Sequence, residues 1–171
     1  MKRTAALLAL SLAMPAFAGG VIKNGDFEKG KMGWDMDPGL RVVPIQQVLP
    51  ASADVAHGQV LSVELHKSAI RSVSERLRID RKTRTLSTSM KMCPGPGFNP
   101  VPPDAPQFTI RYVYPGGSTF SKRAIDPAGG WQEVKWDFSD LQGKPQIQFV
   151  VEFNPGSGCI LVDDVAIEEV P

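Results

Sequence analysis

Six stretches of this chain alternate apolar and polar residues with a period of two: residues 60–65, 75–79, 85–92, 108–114, 134–138 and 147–153. In the fourth, Phe108, Ile110, Tyr112 and Tyr114 oppose Thr109, Arg111 and Val113; in the sixth, Ile147, Phe149, Val151 and Phe153 share one face. A period of two marks half-buried strands. Between the runs fall glycine, proline and Asx turns, among them Y-P-G-G-S, D-P-A-G-G and N-P-G-S-G. Helical periodicity is nearly absent and there is no internal repeat. Each one-sided strand must cover its apolar face, so the pattern predicts an all-β, antiparallel β-sandwich of two packed sheets.

One stretch resists this pattern. Residues 93–107, C-P-G-P-G-F-N-P-V-P-P-D-A-P-Q, contain six prolines and can add little to a ladder. They read as a long, stiff connection at one end of the sandwich. Two roles are open to it: a plain surface loop, or the wall of a binding site with Phe98 at its tip.

The first eighteen residues have the form of an export signal. Lys2 and Arg3 precede an apolar run from Ala5 to Ala13, and Ala16-Phe17-Ala18 supplies a cleavage motif. The run is too short to span a bilayer and no second one follows. The expectation is a secreted or periplasmic protein with a single domain over 19–171 and no lipid attachment, since no cysteine lies near the cut. Without Lys2 and Arg3, 17 basic residues face 18 acidic ones, a formal charge of −1. Such a chain has no global field to draw it onto nucleic acid. In an oxidising compartment its two cysteines, Cys93 and Cys159, are expected to pair.

The ends of the chain carry a resemblance. N-G-D-F-E followed by G-W (Asn24 to Trp34) and the terminal I-L-V-D-D-V-A-I look like the CenC-type carbohydrate-binding modules, members of the galactose-binding-domain-like jelly rolls. H-G-Q-V-L-S-V-E-L, T-R-T-L-S-T-S-M-K and G-G-W-Q-E-V-K-W-D-F resemble further strands of that family, in the same order. The resemblance implies a jelly roll whose first strand is the Asn24 stretch. It also implies a structural calcium where the chain's ends meet, with Asp26, Glu28 and Asp164 as oxygen donors. The plainer reading of Glu28 and Asp164 is a pair of strand-end acids held by backbone N–H groups. Phe27, Trp34, Trp131 and Trp136 read as core.

The resemblance also implies glycan binding, in which sugars stack on aromatic rings and hydrogen-bond to planar polar groups. Here the strand faces left outside the core offer Ser87, Ser89, Lys91, Arg111, Lys135, Gln148 and Glu152, a polar set without a stacking floor. Phe98 and Tyr114, both beside loops, are the platforms that remain. The candidate glycan-binding residues are therefore Phe98, Lys91, Arg111, Tyr114, Gln148 and Glu152. A basic cluster, Arg71, Arg76, Arg78, Arg81, Lys82 and Arg84, has two readings. Arginine forks suit the anionic groups of an acidic polysaccharide, and charge on an edge hairpin also discourages edge-to-edge pairing.

Signs of catalysis are thin. His57 and His66 are the histidines, no nucleophile or phosphate-loop motif appears, and Asp163 and Asp164 are adjacent, which sends their side chains to opposite faces of a strand. The expected function is that of an exported, non-catalytic carbohydrate-binding protein. The alternative is a structural or protein-binding jelly roll at the cell surface, whose partner is another exported protein.

Overall fold

In the computed structural model the residues described are 21–49, 57–100, 106–139, 144 and 146–170. The export-signal segment, 1–18, and the centre of the proline-rich connection lie outside them. The strands are β1 (Asp35–Met36), β2 (Leu40–Pro44), β3 (Gln59–Glu64), β4 (Arg71–Arg78), β5 (Thr85–Pro94) and β6 (Asn99–Pro100), then β7 (Phe108–Tyr114), β8 (Gly117–Arg123), β9 (Gln132–Ser139), β10 (Gln146–Phe153), β11 (Gly156–Ser157) and β12 (Cys159–Val170). One four-residue helix, α1 (Ile45–Val48), follows β2.

Two five-stranded sheets result. Sheet A has the order β1-β4-β10-β7-β8 and sheet B the order β2-β3-β12-β5-β9, with all neighbours antiparallel. A short β6–β11 pair ties the proline-rich connection to the start of β12. The fold is the all-β sandwich that the alternation predicts. Each of the six sequence runs lies on a strand, because each has one face to bury.

The two inner faces make one core. Phe108, Ile110 and Tyr112 of β7 and Phe149, Val151 and Phe153 of β10 meet Leu86, Met90 and Met92 of β5 and Ile160, Val162 and Ile167 of β12. Tyr112 links the sheets: Trp136 and Phe138 stack on its ring at centroid separations of 5.4 and 5.5 Å, and its hydroxyl hydrogen-bonds to Thr88 of the opposite sheet. Burial pushes its phenol pKa well above the usual value, and the Thr88 bond opposes that shift.

The Asn24 stretch differs from expectation. It is a series of turns, and the structure has no strand there. Positive φ at Phe27 (53°), Gly30 (63°) and Gly33 (88°) breaks any extended run. Asn24, itself buried, winds the turns around its side chain: Nδ2 donates to the carbonyls of Gly30 (2.8 Å) and Met32 (3.1 Å), and Oδ1 accepts from Lys29 N–H (3.0 Å). Trp34 Nε1–H closes the loop onto the Asn24 carbonyl at 2.9 Å. Phe27 and Trp34 are buried and their rings pack at 5.4 Å, so both are core as expected. The wound segment docks on the last strand through Val21 N–H to Ile167 O and Val165 N–H to Gly25 O, each 2.9 Å.

The outer faces differ in what covers them. On sheet B, α1 lays Ile45 over Val60, Cys93 and Leu161, and Val48, Leu49 and Trp131 pack around that cluster. Sheet A has no such cover among the described residues.

Candidate functional site

The outer face of sheet A is a lattice of side chains fixed by register. One row runs Asp35, Ser74, Val150, Arg111, Phe120 across β1, β4, β10, β7 and β8. The next runs Arg76, Gln148, Val113, Ser118, and the row on the other side runs Ser72, Glu152, Thr109, Lys122. Beyond Arg76 and Gln148, Arg78 faces Gln146. Neighbouring strands stand roughly 4.8 Å apart and rows about 7 Å apart, so this is a broad surface.

Its centre is held by side-chain pairs. Arg111 Nη2 donates to Glu152 Oε2 at 2.9 Å, and Gln148 Nε2 donates to Ser74 Oγ at 3.0 Å. Arg111 Nε is buried and donates to no group among the described residues. The Phe120 ring lies 5.4 Å from the Arg111 guanidinium carbon and is 53% exposed. It is a flat aromatic surface beside a fork donor whose other side is fixed by Glu152. Cation–π contact with Arg111 orients it.

Beside this centre a depression of about 510 Å³ is lined by Arg76, Arg78, Tyr114, Gln146 and Gln148, with Leu77, Val113, Pro115 and Ile147 as its apolar walls. Tyr114 belongs by parity to the inner face. Its ring stacks on Phe138 at 6.1 Å, and Lys144 Nζ lies 4.0 Å from its centroid.

Of the six residues proposed from sequence, Arg111, Gln148 and Glu152 come together on this face, and Tyr114 borders it. Lys91 does not. It lies on the outer face of sheet B, 2.8 Å from Asp164 Oδ2, because β5 pairs with β12 and β9. Ser87, Ser89 and Lys135 go with it, so the single polar surface expected from sequence is two surfaces on opposite sides of the sandwich. Phe98 packs against the core next to the β6–β11 pair and is no exposed platform. The stacking surface missed from the sequence is Phe120. It is the one large apolar residue of G-S-T-F-S-K-R, and its isolation among small polar residues is the available signal.

The residues expected to hold calcium are not brought together. Glu28 Oε1 accepts from Gln59 N–H at 2.7 Å, Asp26 Oδ1 accepts from Glu28 N–H at 3.3 Å, and Asp164 is turned to Lys91. Among the described residues no three His, Cys, Asp or Glu side chains converge as a metal site. The β12 irregularity between Asp163 and Ala166, with Asp164 at φ 49°, separates the adjacent acids. Asp163 is the buried one. Its Oδ2 lies 2.5 Å from His57 Nδ1, and the imidazole stacks on Trp131 at 4.2 Å. Burial pushes the Asp163 carboxyl up, while the hydrogen bond from His57 opposes that shift.

The expected Cys93–Cys159 bridge is also not made; both side chains are thiols. Cys93 stands opposite Leu161, two residues from Cys159, so the two cysteines are diagonal neighbours on the outer face of sheet B.

No protein-family model matches the sequence, and no curated protein matches it. Solved structures do. TmCBM61, determined in complex with β-1,4-galactotriose, superposes with a TM-score of 0.61 at 13% identity over 90% of this chain and 100% of its own. A family 16 carbohydrate-binding module gives 0.58 at 14% identity over 87% and 99%. The enzymatically active domain of a tailspike protein from bacteriophage CBA120 gives 0.63 at 9% identity, and there the match spans 88% of this chain but 21% of the other. At such identities the likeness is one of architecture. The chain has the β-sandwich jelly-roll fold seen in these carbohydrate-binding modules.

Proposed function

We propose that this protein is an exported, non-catalytic carbohydrate-binding protein whose binding surface is the outer face of sheet A. The observation that carries the reading is Phe120: an exposed ring beside the fixed Arg111–Glu152 pair, on the outer face that no helix covers among the described residues. A sugar presents an apolar C–H face and a rim of hydroxyls. Phe120 offers a surface for the first; Arg111, Glu152 and Gln148 offer donors and acceptors for the second. The fold it shares with carbohydrate-binding modules supports the same reading by analogy.

The site gathers an exposed ring, a fork donor and amides, the groups that hold a sugar by stacking and hydrogen bonding, and binding is therefore the function proposed. A panel of immobilised glycans tests it. Retention on at least one polysaccharide, weakened in Phe120→Ala at unchanged melting temperature, is the expected result. Retention of none, with capture on a protein surface instead, would favour a structural module.

A further inference from the structure

We infer that the depression beside Phe120 selects an anionic sugar, a uronate or sulfated residue, through Arg76 and Arg78. This rests on the reading of sheet A as a glycan-binding face and narrows the substrate class of that face.

The two arginines alternate with Leu77 on β4, so both project outward, about 7 Å apart along the strand. Neither has a carboxylate partner among the described residues. The face's other arginine, Arg111, is already neutralised by Glu152 at 2.9 Å. The depression's lining includes two arginines, two glutamines and a tyrosine, and no acid. Gln146 and Gln148 stand directly across from Arg78 and Arg76 on β10. Each arginine thus has an amide beside it that can donate to, or accept from, a sugar hydroxyl. Guanidinium forks match the planar geometry of a carboxylate and bind sulfate as well.

An edge strand protecting itself with charge is the competing account of Arg76 and Arg78. It explains charge on the open edge of β4. It gives no reason for the acid-free lining that continues onto Gln146 and Gln148 of β10, an interior strand of the sheet. Of the wider basic cluster, Arg81, Lys82 and Arg84 lie in the β4–β5 connection and add nothing to the depression.

The test is affinity electrophoresis of the wild-type protein and the Arg76→Gln/Arg78→Gln double variant. Four gels are used, containing polygalacturonate, dextran sulfate, β-1,4-galactan or xylan. Expected is retardation of the wild type by polygalacturonate, dextran sulfate or both, at least tenfold weaker in the double variant and weakened by 0.5 M salt, since exposed charges are screened there. The two acidic gels distinguish carboxylate from sulfate. Circular dichroism and melting temperature should not move, because both side chains are exposed. Retardation by galactan or xylan alone would overturn the inference and leave the glycan-binding reading intact. Acidic polysaccharides bound equally by the double variant would overturn the assignment to this depression. Retardation by none of the four would overturn both.

Discussion

Phe120 and Arg111 face each other directly across the β7–β8 ladder, with the guanidinium carbon 5.4 Å from the ring centroid. Neither residue alone makes a binding surface. Together, with Glu152 holding the other side of Arg111, they form an aromatic plane with an oriented polar rim. Phe120→Ala is expected to weaken glycan binding about tenfold or more, the usual scale for losing an aromatic anchor. Because the ring is half-exposed, stability should change by no more than about 0.5 kcal/mol. Titration calorimetry paired with thermal melts reads both effects.

Glu75 gives a prediction of pH dependence. It sits on the core-facing side of β4 opposite Phe149, and its Oε2 is buried with no hydrogen-bond partner among the described residues. Burial raises its pKa from 4.5 to about 7, against the pull of Lys23. A carboxyl whose folded pKa lies above its unfolded value favours the fold while protonated. Its contribution is complete below about 4.5 and is lost as pH rises through about 7. Glu75→Gln should therefore match the wild type near pH 4 and exceed it by roughly 1–3 kcal/mol at pH 8. Urea melts across that range check the sign. A variant equally destabilised at every pH would contradict it.

The wound N-terminal segment should be brittle. A Cβ on Gly25 would lie 1.7 Å from the carbonyl oxygen of Val165, a backbone clash that only displacement of the segment relieves. Gly25→Ala is expected to lose the Gly25–Val165 hydrogen bond and to lower stability by at least about 2 kcal/mol. Asn24→Ala, which removes three hydrogen bonds from a buried amide, should cost about 2–3 kcal/mol. Amide exchange at Val165 and Lys29 reports which contacts open.

The His57–Asp163 contact is a second fastening of β12, joining it to the turn that precedes β3. Removing one partner strands the other in a buried site. His57→Ala and Asp163→Ala are each expected to destabilise by roughly 2–4 kcal/mol, with the double variant costing less than their sum. A double-mutant cycle measured by chemical denaturation decides this.

With Glu28 bonded to Gln59 N–H and Asp164 to Lys91, EDTA and added calcium are both expected to leave the melting temperature unchanged. A rise of several degrees on adding calcium would show those carboxylates exchanging their present partners for an ion.

These results also mark where the sequence is legible. β5, β7 and β10 announce themselves because one face of each is buried against the opposite sheet, and the inner-face aromatics follow from parity alone. β8 does not, since an edge strand with two wet faces carries no alternation, and Phe120 is hidden with it. The Asn24 stretch resembles a family's opening strand in composition, yet the side chain of Asn24 winds it into turns that meet β12 at Gly25. Most consequentially, parity says which residues share a face of one strand, but not which strands share a sheet. β10 lies between β4 and β7, far away in sequence, and only that pairing separates Arg111 and Gln148 from Lys91 and Ser89.

Sheet A as the binding face is tested most directly by residue-resolved NMR of the labelled protein titrated with β-1,4-galactotriose, xylohexaose and a galacturonic acid oligomer. Shifts from at least one of them are expected to concentrate at Phe120, Arg111, Gln148 and Glu152 on the outer face of sheet A. Shifts centred on Lys91 and Ser89 of sheet B or on Phe98 beside the β6–β11 pair would contradict it, as would no shift with any of the three.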